Sequence, residues 1–132
     1  MRSAATKTIS CLAAIILLLS GCGYRSHYRT VACVRTNTAQ SAALSFYELE
    51  GVMVFKMKQK TQSEGEIRYS AQLETGTATV YYDYMGVKTE LFTVCGGETL
   101  DDHGGYIEKG TVYIIVETDG VCENGAFRFE VG

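Results

Sequence analysis

Hydrophobic and polar residues alternate along most of the second half of the chain. In residues 66–74, apolar side chains at every second position alternate with charged and hydroxyl-bearing ones. The same period of two recurs in residues 52–58, 77–84 and 125–131. It is typical of antiparallel strands with one buried face and one face in water. The run "TVYIIVE" is more continuously apolar, which predicts a central strand covered on both faces.

Short turn-forming segments separate these predicted strands. Gly76 and Gly86 follow two of them, and "TDGVCEN" joins the last two as a hairpin with a longer loop. Residues 38–46 fit either a short helix or a strand, and the Gly- and Asp-rich residues 96–110 predict a mobile loop. The pattern as a whole predicts an all-β fold, an antiparallel β-sandwich of about seven or eight strands, jelly-roll-like or Ig-like.

The N-terminus has a different pattern. Arg2 and Lys7 precede an uncharged apolar run at residues 9–19. As a helix this run would be about 16 Å long, which is too short for a hydrocarbon core of about 30 Å. A positive start, a short apolar middle and small residues at the end predict a secretory signal peptide.

The end of that segment, Leu19-Ser20-Gly21-Cys22, resembles the bacterial lipobox. The resemblance implies cleavage between Gly21 and Cys22 and a diacylglyceryl group on the Cys22 thiol. It divides the chain into a signal peptide (residues 1–21), a lipidated N-terminus with its tether (22–29) and a β-sandwich domain (30–132). It places the domain on the extracytoplasmic face of the cell membrane, or at the outer membrane if the source has two membranes. The alternative is an ordinary signal peptide or short anchor, with Cys22 unlipidated.

The C-terminal half has a second, less specific resemblance. The segments "KTELFTVCGGE", "GGYIEKGTVYIIVETDG" and "GAFRFEV" resemble the end of small uncharacterised lipoproteins from single-membrane bacteria. This resemblance covers about residues 87–132. It implies a β-sandwich ectodomain and no particular activity.

Charge excludes one class of partner and raises a question about orientation. All fifteen acidic residues but only ten of the twelve basic ones follow residue 21, so the mature chain is acidic and a nucleic-acid-binding surface is not expected. Six bases and two acids lie in residues 22–60, against four bases and thirteen acids in residues 61–132. Either the basic part faces anionic lipid, or the split merely reflects charges on solvated strand faces.

Candidate chemical groups are few. Asp101, Asp102 and His103 are weak candidates for a metal site or an acid–base pair, because adjacent side chains in an extended segment point apart. Three cysteines follow Cys22, so at most one disulfide forms within a monomer; Cys95–Cys122 is one of three options. Tyrosines that could stack on sugars are numerous, at positions 81, 82, 84, 106 and 113, but alternation sends Tyr82 and Tyr84 inward.

The sequence carries no nucleophile elbow, zinc-protease helix or phosphate-binding loop. We therefore expect a protein that is not an enzyme and needs no cofactor, acting as a lipid-anchored interaction or binding module. Its expected partners are the membrane, through the lipid, and an envelope protein or a glycan. The alternatives are a glycan-binding module, or a small metal-dependent hydrolase that uses residues 96–110.

Overall fold

The computed structural model describes residues 26–60 and 65–131, and every regular element in them is a β-strand. All pairings between these strands are antiparallel, so the predicted all-β antiparallel class is confirmed. The predicted signal peptide, its cleavage position and Cys22 lie outside the described residues. None of the described residues belongs to a helix able to cross a membrane. The strands are β1 (His27–Val31), β2 (Val34–Asn37), β3 (Ser41–Gln59), β4 (Gly65–Thr75), β5 (Thr77–Tyr84), β6 (Val87–Cys95), β7 (Glu98–Ile107), β8 (Gly110–Thr118) and β9 (Cys122–Glu130).

Strand β3 is the centre of the sheet. The strand order is β6-β5-β8-β3-β9-β4-β7, and β1 and β2 also pair with β3. With 19 residues, β3 is long enough to pair with β9 along its first half and with β8 along its second half. The connected strands β8 and β9 thus follow β3 along its whole length.

The sheet folds over at the middle of β3 into two facing layers. Layer 1 contains β2, the first half of β3, β9, β4 and β7; layer 2 contains the second half of β3, β8, β5 and β6. Aromatic rings from the two layers meet between them: Phe92 of β6 lies 6.3 Å from Phe129 of β9, and Phe55 of β3 lies 6.3 Å from the same ring. The two inner faces therefore share one apolar core, as in a β-sandwich.

The fold-over depends on a corner at Gly51. Its backbone has φ +126°, outside the range that side chains favour, and a Cβ there would collide with the carbonyl oxygen of His27 in β1. Across the corner, the Gly51 amide donates a 2.8 Å hydrogen bond to the Thr118 hydroxyl. The inward positions of β3 change parity just before the corner, between Phe46 and Leu49.

Side chains from β2 close the open side of the sandwich. Arg35 donates to the carbonyl of Val54 at 2.6 Å, and the Asn37 amide both donates to and accepts from the Lys56 backbone, at 2.9 and 3.2 Å. The Lys58 amide donates to the Ala39 carbonyl at 2.6 Å. The free edge of β3 in layer 2 therefore has its polar groups occupied, which protects it from pairing with another chain.

Most predicted strands and their inward residues are confirmed, including Ile67, Ala71 and Leu73 in β4 and Val80 in β5. The described part has nine strands, slightly more than expected. The undecided residues 38–46 become strand from Ser41 onward. The domain begins earlier than the predicted residue 30, because β1 starts at His27 and pairs with the corner of β3.

The predicted mobile loop at residues 96–110 is wrong. Most of it is strand β7, which pairs with β4 from Leu73↔Glu98 to Gly65↔Ile107, with an irregularity opposite Glu66 and Ile67. Backbone hydrogen bonds to β4 hold this segment extended although its composition favours a loop. The residues that the hydrolase alternative would use therefore lie mainly in a strand.

We expect Gly51→Ala to lower the free energy of unfolding by about 3 kcal/mol or more, because a side chain there meets both an unfavourable φ and the β1 backbone. Gly120→Ala is the matched control. Its φ of +77° is also left-handed, but nothing lies within 4 Å of the position that a Cβ would take, so the loss should be about 1 kcal/mol. Urea unfolding measures the free energy of unfolding of both variants. Equal losses would show that the corner does not depend on the close approach of the β1 backbone to Gly51.

Candidate binding groove

The outer face of layer 1 carries two parallel rows of side chains that run across five strands. One row pairs Val34, Ser45, Ala126, Gln72 and Thr99 from β2 to β7. At a strand spacing of about 4.8 Å, such a row spans about 19 Å. The second row lies two residues further along each strand and consists of Thr36, Ala43, Arg128, Ser70 and Asp101.

Small side chains in the middle of these rows leave a groove of about 430 Å³. Its floor is formed by Ala43 and Ser45 on β3, Ala126 on β9 and Ser70 on β4. Three adjacent strands carry small residues within the two rows. Because these side chains are short, they leave the strand backbones uncovered there. The longer side chains around the floor form the walls, namely those of Val34, Thr36, Gln72, Thr99 and Arg128.

A smaller recess of about 270 Å³ adjoins the groove and shares Ser70 and Arg128 with it. Three of its four charged side chains form ion pairs with one another. Glu130 accepts from the Arg68 guanidinium at 3.2 Å and lies 3.8 Å from that of Arg128. These pairs are exposed, so they position Arg128 beside the groove more than they stabilise the fold.

The chemical groups on the groove are suited to hydrogen bonding with a neutral, polar ligand. They comprise hydroxyls, one primary amide and one guanidinium. The carboxylate of Asp101 lies in the adjoining recess, not in the groove itself. No aromatic ring of the described residues faces the groove, since Phe127 points inward to the core. Tyr47 lies two residues beyond Ser45 on the same face and is 52% exposed.

Tyr81, Tyr82 and Tyr84, singled out from the sequence, do not form a platform, and Tyr106 on β7 is 55% exposed. Tyr82 is half-buried against Gly105, and the Tyr84 hydroxyl donates to the Lys109 carbonyl at 3.0 Å. The Lys88 ammonium lies 4.4 Å from the centroid of the Tyr81 ring and occupies one of its faces. Sequence reasoning missed Tyr47 and the small groove residues, which are recognisable only when the register of five strands is known.

Asp101, Asp102 and His103 are not brought together. Strand β7 sends Asp101 toward Ser70 and His103 toward Glu66, whose carboxylate lies 2.7 Å from His103 Nδ1. Asp102 is opposite Tyr69 on β4, and burial, followed by the Asp102 carboxylate, raises the pKa of the Tyr69 hydroxyl. Among the residues that the structure describes, no group of three or more His, Cys, Asp or Glu is arranged to hold a metal ion.

Cys95 and Cys122 differ in their exposure and in their surroundings. Cys95 is exposed, whereas Cys122 is fully buried and donates through its Sγ to the Thr77 carbonyl at 3.3 Å. Burial raises the pKa of the Cys122 thiol, so it stays protonated and unreactive near neutral pH. Cys33, half-buried, is also a free thiol. The structure does not bring the Cys95–Cys122 pair into bonding geometry.

We expect a thiol-specific alkylating reagent to modify Cys95 rapidly and Cys122 at least about 100-fold more slowly, since Cys122 must wait for local opening. Peptide mapping by mass spectrometry after timed exposure of the native protein measures both rates. Denatured protein is the control, because there the two thiols should react alike. A Cys95–Cys122 disulfide peptide in the unreduced protein would contradict the expectation.

No protein-family model matches the sequence, and no curated protein matches it. Among solved structures, the chain is similar to a mutant family 29 carbohydrate-binding module in complex with mannohexaose, with 13% identity, a TM-score of 0.41 and coverage of 82% of this chain and 90% of that one. It is also similar to the cupin domain of Drosophila melanogaster CENP-C, with 13% identity, a TM-score of 0.32 and coverage of 73% of each chain. A Bacillus subtilis oxalate decarboxylase variant shows 16% identity and a TM-score of 0.29, over 83% of this chain and 31% of that one. Likenesses this distant do not decide the function, which has to be argued from the groove.

Proposed function

We propose that this protein is a lipid-anchored, non-enzymatic envelope protein that binds a glycan chain in the groove of layer 1. The observation that carries the proposal is the lining of the groove. Small residues on three neighbouring strands open a shallow channel, and hydroxyl, amide and guanidinium groups border it on both sides. Such groups complement the many hydroxyls of a sugar chain.

The dimensions favour a chain over a small molecule. The two rows cross five strands, which gives the groove a length of about 19 Å and leaves it open along one side. An extended oligosaccharide can lie along the rows and exchange hydrogen bonds with successive side chains. Because the described groove residues offer no aromatic ring for stacking, we expect weak affinity and modest selectivity.

The non-enzymatic character is supported by what borders the groove. Its lining includes no His, Cys, Asp, Glu or Lys, so the described groove residues supply no general base. The nearest carboxylates, Asp101 and Glu130, belong to the adjoining recess, and Glu130 is already paired with two arginines.

The anchor is proposed on the resemblance of Leu19-Ser20-Gly21-Cys22 to the lipobox. The described fold is compatible with it, because β1 begins at His27 on the surface and follows Cys22 by only five positions. Two or three acyl chains at Cys22 would give stable attachment, whereas a single chain binds only marginally.

For the groove, we expect Arg128→Ala in the mature chain to weaken glycan binding about tenfold, because a hydrogen bond to a charged group is lost. Ala126→Leu should abolish binding by filling the floor. Thr93→Leu, an exposed position on the outer face of layer 2, is the matched control and should bind normally. A glycan array identifies ligands and titration calorimetry compares the variants; no glycan bound, or binding unaffected by Ala126→Leu, would overturn the proposal.

For the anchor, we expect Cys22→Ala to abolish incorporation of labelled fatty acid and to leave the precursor uncleaved. Membrane fractionation and the apparent mass of the protein measure both effects. Cys95→Ala is the control, because it removes an exposed thiol of the folded domain and should leave lipidation unchanged. A Cys22→Ala protein that still matures and stays in the membrane would show that the anchor is not a lipid on Cys22.

A further inference from the structure

The two ends of the sandwich carry opposite charges. One end, which we call the lysine end, contains the last residues of β3, the β5–β6 turn and the β7–β8 turn. Five lysines lie there, against the acids Asp83 and Glu108 on the same elements; the lysines are Lys56, Lys58, Lys60, Lys88 and Lys109. On the layer 1 side of this end, Arg68 and Arg128 lie with the acids Glu66, Asp101, Asp102 and Glu130, so the excess of positive charge belongs to the layer 2 side.

The opposite end, which contains the Gly51 corner, is acidic. Arg29 is the only base among its described residues, and it is already paired with Glu50. The acids lie on β3, β4, β7, β8 and β9 and on the segment that joins β8 to β9; they are Glu48, Glu50, Glu74, Glu98, Glu117, Asp119 and Glu123. Glu117 is paired with Lys88 of the lysine end at 2.9 Å.

The lysine end also presents the most exposed of the large apolar side chains in the described residues, that of Met85. Met85 is 82% exposed and Val87 64% exposed, both at the β5–β6 turn. This turn is held in place: the Gly86 amide donates to Asp83 Oδ1 at 3.1 Å, and the Tyr84 hydroxyl donates to the Lys109 carbonyl at 3.0 Å. The exposed apolar side chains of this turn are therefore held on the same end as the lysines. This combination suits the boundary between lipid headgroups and acyl chains.

The path of the chain agrees with this orientation. The Ser26 hydroxyl accepts a 2.8 Å hydrogen bond from the Val54 amide, on the lysine-end side of the corner. From His27 back to Ser26, the chain runs along β3 away from the corner and toward Lys60. Cys22 lies four positions earlier, which allows at most about 14 Å of extended chain.

We infer that the lysine end is a membrane-docking surface that lies against anionic lipid, with Met85 and Val87 entering the headgroup region. This inference rests on the proposed anchor for its biological setting. Each lysine near an anionic surface contributes an attraction that falls off within about one Debye length. The reverse orientation would press seven carboxylates against the same surface, of which Glu50 and Glu117 are paired with Arg29 and Lys88, so the charge distribution favours the lysine end.

Vesicle binding tests the docking surface without depending on lipidation. The mature chain with Cys22→Ser is mixed with vesicles of phosphatidylglycerol and phosphatidylcholine, or of phosphatidylcholine alone, and bound protein is measured by co-sedimentation. We expect binding only to the anionic vesicles and its loss at 1 M salt, where the Debye length is about 3 Å. Lys58→Glu and Lys109→Glu should each weaken binding about fivefold or more, and Met85→Asp should weaken it as well.

Arg29→Glu is the matched control, because it reverses the same charge at the opposite end and should leave vesicle binding unchanged. Equal binding to both kinds of vesicle, no binding to the anionic vesicles at low salt, or equal weakening by Arg29→Glu would overturn the inference. These outcomes are separate from those of the Cys22→Ala experiment. Fatty-acid labelling without vesicle binding would retain the anchor and remove the docking surface.

Discussion

The bend of β3 at Gly51 is the constraint on which the rest of the structure depends. With 19 residues, β3 is far longer than the other described strands, of which the longest is β4 with 11, and by folding over it joins both layers. The missing side chain at Gly51 lets the β1 backbone cover the corner, while Thr118 bonds across it. Because β8 and β9 follow β3 through the same bend, the inner faces close on each other and Phe55 meets Phe129.

The same geometry leaves the two outer faces different. On layer 2 the outward positions of neighbouring strands carry long side chains, and Lys88 bonds Glu117 at 2.9 Å while it covers the Tyr81 ring. On layer 1 the corresponding positions of three adjacent strands carry alanine and serine. The groove therefore opens on layer 1, and the small size of its residues is what makes that face available to a ligand.

The strands could be predicted because the pattern that identifies them depends on neighbouring residues. The remaining features depend on pairing between distant segments of the chain and could not be predicted. Ile67 and Leu73 were placed inward correctly because a period of two depends only on neighbouring residues. Strand β7 was missed because its polar, glycine-containing sequence is held extended by pairing with β4. The groove was missed for the same reason: Ser45, Ala126 and Ser70 lie far apart in the chain, and nothing in their local sequence indicates that they share one floor.

The fold-over also converts a charge split along the sequence into a charge split in space. Lys58 lies at the end of β3 and Lys60 directly after it, and Lys88 and Lys109 come from the acidic part of the chain; folding collects all four at one end. With that end against lipid, the strands stand away from the surface and the groove rows, which cross the strands, lie parallel to it. A glycan bound along the rows would then run parallel to the membrane, the orientation of a polymer layered over the cell. The proposed ligand, the proposed anchor and the charge distribution are thus compatible with one and the same orientation of the sandwich.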